Sequence, residues 1–81
     1  MVNIRTFEMS ATVSKDADGT VKLTEVKELK ELSREEFDDS SILRCSKEVS
    51  DFNQKELKLI STALNPGETR EISYQEQRVM E

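Results

Sequence analysis

Ten residues near the N-terminus, I-R-T-F-E-M-S-A-T-V from Ile4 to Val13, alternate between two kinds of side chain. Phe7, Met9, Ala11 and Val13 share one parity; Thr6, Glu8, Ser10 and Thr12 share the other. A repeat of two places successive side chains on opposite sides of an extended chain, so one side is buried while the other stays wet. Two threonines and a valine add β-branched preference. The alternation resumes at Thr20-Val21-Lys22-Leu23, after Asp18-Gly19. Two alternating runs about a glycine-containing turn predict a β-hairpin.

Beyond Leu23 the period changes. Leu23, Val26, Leu29 and Leu32 recur at every third residue, with Lys and Glu between them. That spacing fits a helix capped by Thr24, or a long second strand with a bulge near Glu25. The expectation is strand to about Val26, then a transition. Ser33-Arg34-Glu35-Glu36 carries the letters of a capping box and predicts a helix start. Phe37, Ser41, Cys45 and Phe52, with Val49 beside them, share one helical face. Asp38-Asp39-Ser40-Ser41 is poor helix material, and Ile42-Leu43 offers a short strand instead. Asn53-Gln54-Lys55-Glu56 reads as a second cap, followed by a stripe of Leu57, Ile60 and Leu64. Asn65-Pro66-Gly67 stops the helix. Ile72 and Tyr74 then alternate with polar residues, predicting a closing strand from about Thr69 to Gln77. The order is β-β-α-α-β. Residues 1–81 therefore read as one small α+β domain, with an N-terminal β-hairpin, one or two short helices and a C-terminal strand. The alternative is all-β, with 57–63 and 69–77 as a second hairpin.

Function is constrained mostly by exclusion. A chain of 81 residues makes one domain with a lean core. Leu, Ile, Val and Phe form roughly a quarter of it, above the level of disordered chains. Small domains supplement such a core with disulfides, a metal or self-association. Cys45 is the sole cysteine, so no disulfide forms within the chain, and a reducing, cytoplasmic setting is expected. No long apolar run predicts a membrane span or secretory signal. With no histidine, the usual general base and zinc ligand are missing. Cys45 has no histidine to activate it and reads as a small core residue. Gly19 and Gly67 are the only glycines, which leaves no phosphate-binding loop. A net charge of −5 argues against direct binding to nucleic acid or anionic lipid. No enzymatic activity, cofactor or metal is expected.

Two features remain. S-K-D-A-D-G-T-V-K-L-T-E, Ser14 to Glu25, resembles an EF-hand loop at most positions. Asp16 and Asp18 stand at its third and fifth positions, Gly19 at the sixth and Glu25 at the twelfth. The first position is Ser14 rather than aspartate, and a strand pattern replaces the entering helix. The only candidate partner loop, 65–76, has Gly67 and Arg70 at its third and sixth positions. A hairpin turn is the preferred reading of Asp16 to Gly19, since aspartate and glycine suit turns for their own reasons. The second feature is Glu35-Glu36-Phe37-Asp38-Asp39, the densest acidic block. It reads as an acidic, partner-binding patch around an aromatic anchor, able to meet a basic protein or imitate nucleic-acid phosphates. The competing reading is a helix N-terminus with Phe37 packed inward. The function expected is a small acidic interaction protein that binds another protein and self-associates as a homo-oligomer. Accessory and inhibitory proteins of phages and mobile elements share this profile, a likeness of composition and not of motif. The alternatives are a calcium-binding module using Asp16, Asp18 and Glu25, or a structural subunit of a particle or ring.

Overall fold

In the computed structural model, which describes residues 1–81, the alternating run forms β1, Val2–Lys15. A turn leads into β2, Val21–Phe37. One turn of 3-10 helix, Asp39–Ser41, feeds α1, Ile42–Ala63, and β3, Thr69–Met80, closes the chain. The strands make one antiparallel sheet in the order β2-β1-β3. The α+β reading holds, with its N-terminal hairpin and C-terminal strand. The helical region is one continuous helix rather than two short ones, and residues 57–63 are its last turns, not a strand.

The hairpin turn has the chemistry its residues favour. Gly19 sits at φ 91° and donates its N–H to the Asp16 carbonyl at 3.0 Å. The Asp18 carboxylate accepts the Thr20 N–H at 2.9 Å. That bond holds the Asp18 carboxyl below its usual value, because it favours the charged form.

The three-residue spacing of β2 is explained by its pairing. β1 and β2 slip register between Thr6 and Phe7, between Glu8 and Met9, and between Ser10 and Thr12. Leu32 and Leu29 fall at the first two slips, and Glu25-Val26 stands opposite Ala11 at the third. Each slip is a bulge that adds one residue to β2. Three β2 residues thus advance alongside two of β1, a period belonging to neither a regular strand nor a helix. The strand does not give way near Val26, and the capping-box letters at Ser33 do not start a helix. The ladder continues to Val2 opposite Phe37, so β1 supplies partners for all of Ser33–Phe37. Asp38 starts the helical segment instead: its backbone is extended, and its carboxylate accepts the Ser40 N–H at 3.4 Å.

Glu25 has φ 52°, the left-handed region, and is the only non-glycine residue there. A side chain in that conformation costs roughly 1–2 kcal/mol. Glu25→Gly is therefore expected to leave the fold intact and raise stability by up to about 1 kcal/mol, after the added unfolded-state freedom of glycine. Urea denaturation would measure it; a clear loss of stability would mean that the Glu25 side chain matters more than its backbone.

α1 builds two cores rather than one. Cys45 and Val49 pack on Val2 and Ile4, with Phe37, Ile42 and Val79 around them. Ile60 and Leu64 pack on Ala11 and Val13, with Val21, Leu23, Ile72 and Tyr74 around them. The β1–β3 register is unbroken from Asn3 opposite Met80 to Ser14 opposite Thr69. Even and odd residues of β1 hence lie on opposite faces, and the helix meets one face at its start and the other at its end. It crosses the free edge of β3 between them, aided by the twist of long strands. At the crossing, Asn53 Nδ2 donates to the Gln77 carbonyl and the Gln77 N–H donates to Asn53 Oδ1, both at 2.9 Å. The Gln75 N–H donates to Glu56 Oε1 at 3.0 Å. The helix thus satisfies an edge that would otherwise invite another strand. At its C-terminus, Lys15 Nζ donates to the Ser61 carbonyl at 2.9 Å, a favourable cation at the negative end of the helix dipole. No helix is long and apolar enough to cross a membrane.

Candidate partner-binding surfaces

The acidic block divides, with Glu35 apart from the other four residues. Glu35 and Glu36 are successive residues of β2, opposite Ile4 and Asn3, so they point to opposite faces. Phe37 turns inward against the Val2 and Ile4 cluster, with the Arg44 guanidinium 5.5 Å from its ring centroid. Asp38 caps the 3-10 turn. Asp39 pairs with the Met1 amino group at 2.6 Å and holds that group above its ordinary value. Glu36, Phe37, Asp38 and Asp39 nonetheless line one open depression with Met1, so four of the five residues meet.

The acidic residues of the hairpin segment are separated. Glu25 lies in β2, where its carboxylate accepts from Thr12 Oγ1 at 3.4 Å, while Asp18 serves the turn. Asp16, Asp18 and Glu25 do not gather into a metal-holding group. Cys45 is fully buried in the first core.

β2 carries three of the four large apolar side chains that the strands leave exposed, the fourth being Met80 of β3. The outer edge of β2 has no partner strand. Val26, Leu29 and Leu32 are 50%, 51% and 41% exposed, all at or beside the bulges. Bulges and charged side chains are devices that keep an open edge from pairing with another backbone. What β2 presents is therefore a ridge of side chains rather than a strand-pairing template.

Next to the ridge lies a network that the local sequence did not reveal. Phe7 is buried, yet no helix covers it. The guanidiniums of Arg5 and Arg78 lie 4.9 and 4.6 Å from its ring centroid. Arg5 bonds Glu31 at 2.7 Å, Arg78 bonds Glu28 and Glu76 at 2.9 Å, and Arg34 reaches Glu31 at 3.3 Å. The three strands are tied together across the face that the helix leaves open.

Hydrogen bonds from Arg5 and then Arg34 lower the Glu31 pKa from 4.5 to about 2. A carboxyl depressed in the folded state contributes stability that is complete above about pH 4.5 and is lost as pH falls towards 2. Glu31→Gln should flatten the acid limb of a stability–pH curve over that window, as read by urea denaturation at successive pH values. An unchanged limb would mean that Glu31 titrates as if unpaired.

Comparison with known protein families, curated protein sequences and solved structures finds no match to this chain.

Proposed function

We propose that this chain is a non-enzymatic protein-interaction protein that self-associates through the outer flank of β2. The observation that carries the reading is the ridge of Val26, Leu29 and Leu32, half exposed on β2, whose outer edge has no partner strand. Large apolar side chains set together on a small surface mark a contact site. Three of them make a small interface, so the self-association is weak and reversible rather than obligate. The depression at Glu36, Phe37, Asp38 and Asp39 continues from the same strand and adds acidic character suited to a basic protein partner. An accessory or inhibitory role of the kind found in phages and mobile elements fits this small acidic build.

Light scattering over a concentration series tests the reading. The apparent mass is expected to rise with concentration, and Leu29→Lys is expected to hold the chain monomeric without unfolding it, since residue 29 is exposed. A wild-type mass that stays monomeric into the millimolar range would overturn the self-association.

A further inference from the structure

Where α1 crosses onto the sheet, a slot of about 110 Å³ lies between Leu57 of the helix and Leu23 and Tyr74 of the strands. Glu56 and Glu76 stand at its rim, with Asn53 and Gln75 completing it. Ligand pockets run to roughly 300–1,000 Å³, so the slot is too small for a metabolite and the right scale for one side chain. Its walls are apolar and its rim is anionic. Glu56 takes part in no ion pair within the chain. Its Oε1 is held by the Gln75 N–H at 3.0 Å, which fixes the carboxylate and leaves Oε2 available. Glu76 engages Arg78 through Oε2, so its charge is already partly answered. Glu56 is the carboxylate without a cation.

We propose that this slot receives a lysine side chain from a partner protein. The inference rests on the reading of the chain as a protein-binding protein and names the chemistry of the partner. A lysine stem is apolar and lies along Leu23, Leu57 and the Tyr74 ring while its ammonium reaches the rim. The Tyr74 ring adds a favourable face for a cation. Burial, and then the charge of Glu76, raise the Tyr74 phenol above its ordinary value, so the ring stays neutral. Arginine fits less well. Its planar fork is best matched by both oxygens of one carboxylate, and Glu56 has one already engaged. Because the Gln75 N–H orients Glu56 beforehand, little side-chain freedom is lost on binding.

The probe is n-butylammonium, a lysine side chain without its backbone, titrated into the isotopically labelled full chain and followed by NMR. Saturable shifts are expected at the Gln75 amide, the Tyr74 ring and Leu57. n-Butanol, of similar size without the charge, should bind about tenfold more weakly, the scale of one charge-assisted hydrogen bond. Glu56→Gln keeps an acceptor for the Gln75 N–H and removes only the charge, and it should weaken n-butylammonium by a similar factor. No saturable shift, an equal response to n-butanol, or unchanged binding to Glu56→Gln would each overturn the proposal. Leu29→Lys, titrated in parallel, should bind n-butylammonium like wild type while losing the concentration dependence of its mass. Failure of the slot thus reads out separately from failure of the β2 ridge.

Discussion

Replacing Phe7 by alanine is expected to lower the unfolding free energy by about 3–5 kcal/mol, the usual scale for truncating a buried aromatic ring. A domain of 81 residues has a total stability of roughly 4–12 kcal/mol, so this one change brings the fold close to its limit. The effect is large for two reasons. Phe7 is 2% exposed, so nearly all its apolar surface leaves water on folding. The ring is also the platform on which Arg5 and Arg78 lie, and those two arginines carry the ion pairs from β1 and β3 to Glu31 and Glu28 of β2. Removing the ring leaves two guanidiniums over a cavity and loosens all three strands. Phe7→Leu separates the contributions. It keeps most of the burial but removes the aromatic face, and a loss of about 1–2 kcal/mol is expected, on the order of two solvent-exposed cation–π contacts. Urea denaturation followed by circular dichroism measures both. A loss below about 1 kcal/mol for the alanine variant would show that the arginine cover, not the ring, holds this face.

How much of this was legible in the sequence depends on whether the cause was local. The alternation of Phe7, Met9, Ala11 and Val13 and the Asp16–Gly19 turn are local, and both appear in the structure where their residues predict them. The spacing of Leu23, Val26, Leu29 and Leu32 was visible, but its meaning was not. A bulge is a relation between two strands, and nothing within β2 says how its residues count against β1. Ser33-Arg34-Glu35-Glu36 misled for a related reason. Polar residues are tolerated on an exposed edge strand, so the letters of a capping box cost that strand little, and its pairing with Val2–Thr6 decides the matter. Part of the cover of Phe7 comes from Arg5, two residues away, but the rest comes from Arg78, far along the chain, and no local pattern announces that half. Of the acidic block, Phe37 was readable as an inward-packing residue, whereas the division of Glu35 and Glu36 between two faces follows only once they belong to a strand.

The same non-local logic makes Asn53 the second most sensitive position. By its letters Asn53-Gln54-Lys55-Glu56 resembles the start of a helix, yet it is the middle of one. The helix is polar there because at that point it faces a backbone edge rather than side chains. A carboxamide presents one donor and one acceptor side by side, as a neighbouring strand would, and Asn53 uses both on Gln77. Asn53→Ala is therefore expected to cost about 2–3 kcal/mol, from two partly buried backbone groups left without partners. Asn53→Asp keeps the acceptor but turns a second carboxylate oxygen towards the Gln77 carbonyl, so it should not restore the loss. Hydrogen exchange gives the local readout. The Gln77 amide should exchange roughly 30- to 160-fold faster in Asn53→Ala, the same 2–3 kcal/mol expressed as an opening equilibrium, while the amides of β1 in the ladder to β2 change less. The variant should also aggregate more readily, because β3 then offers an unpaired edge. Unchanged exchange at Gln77, with stability within about 0.5 kcal/mol of wild type, would mean that packing of the two flanking cores alone holds the helix across the edge.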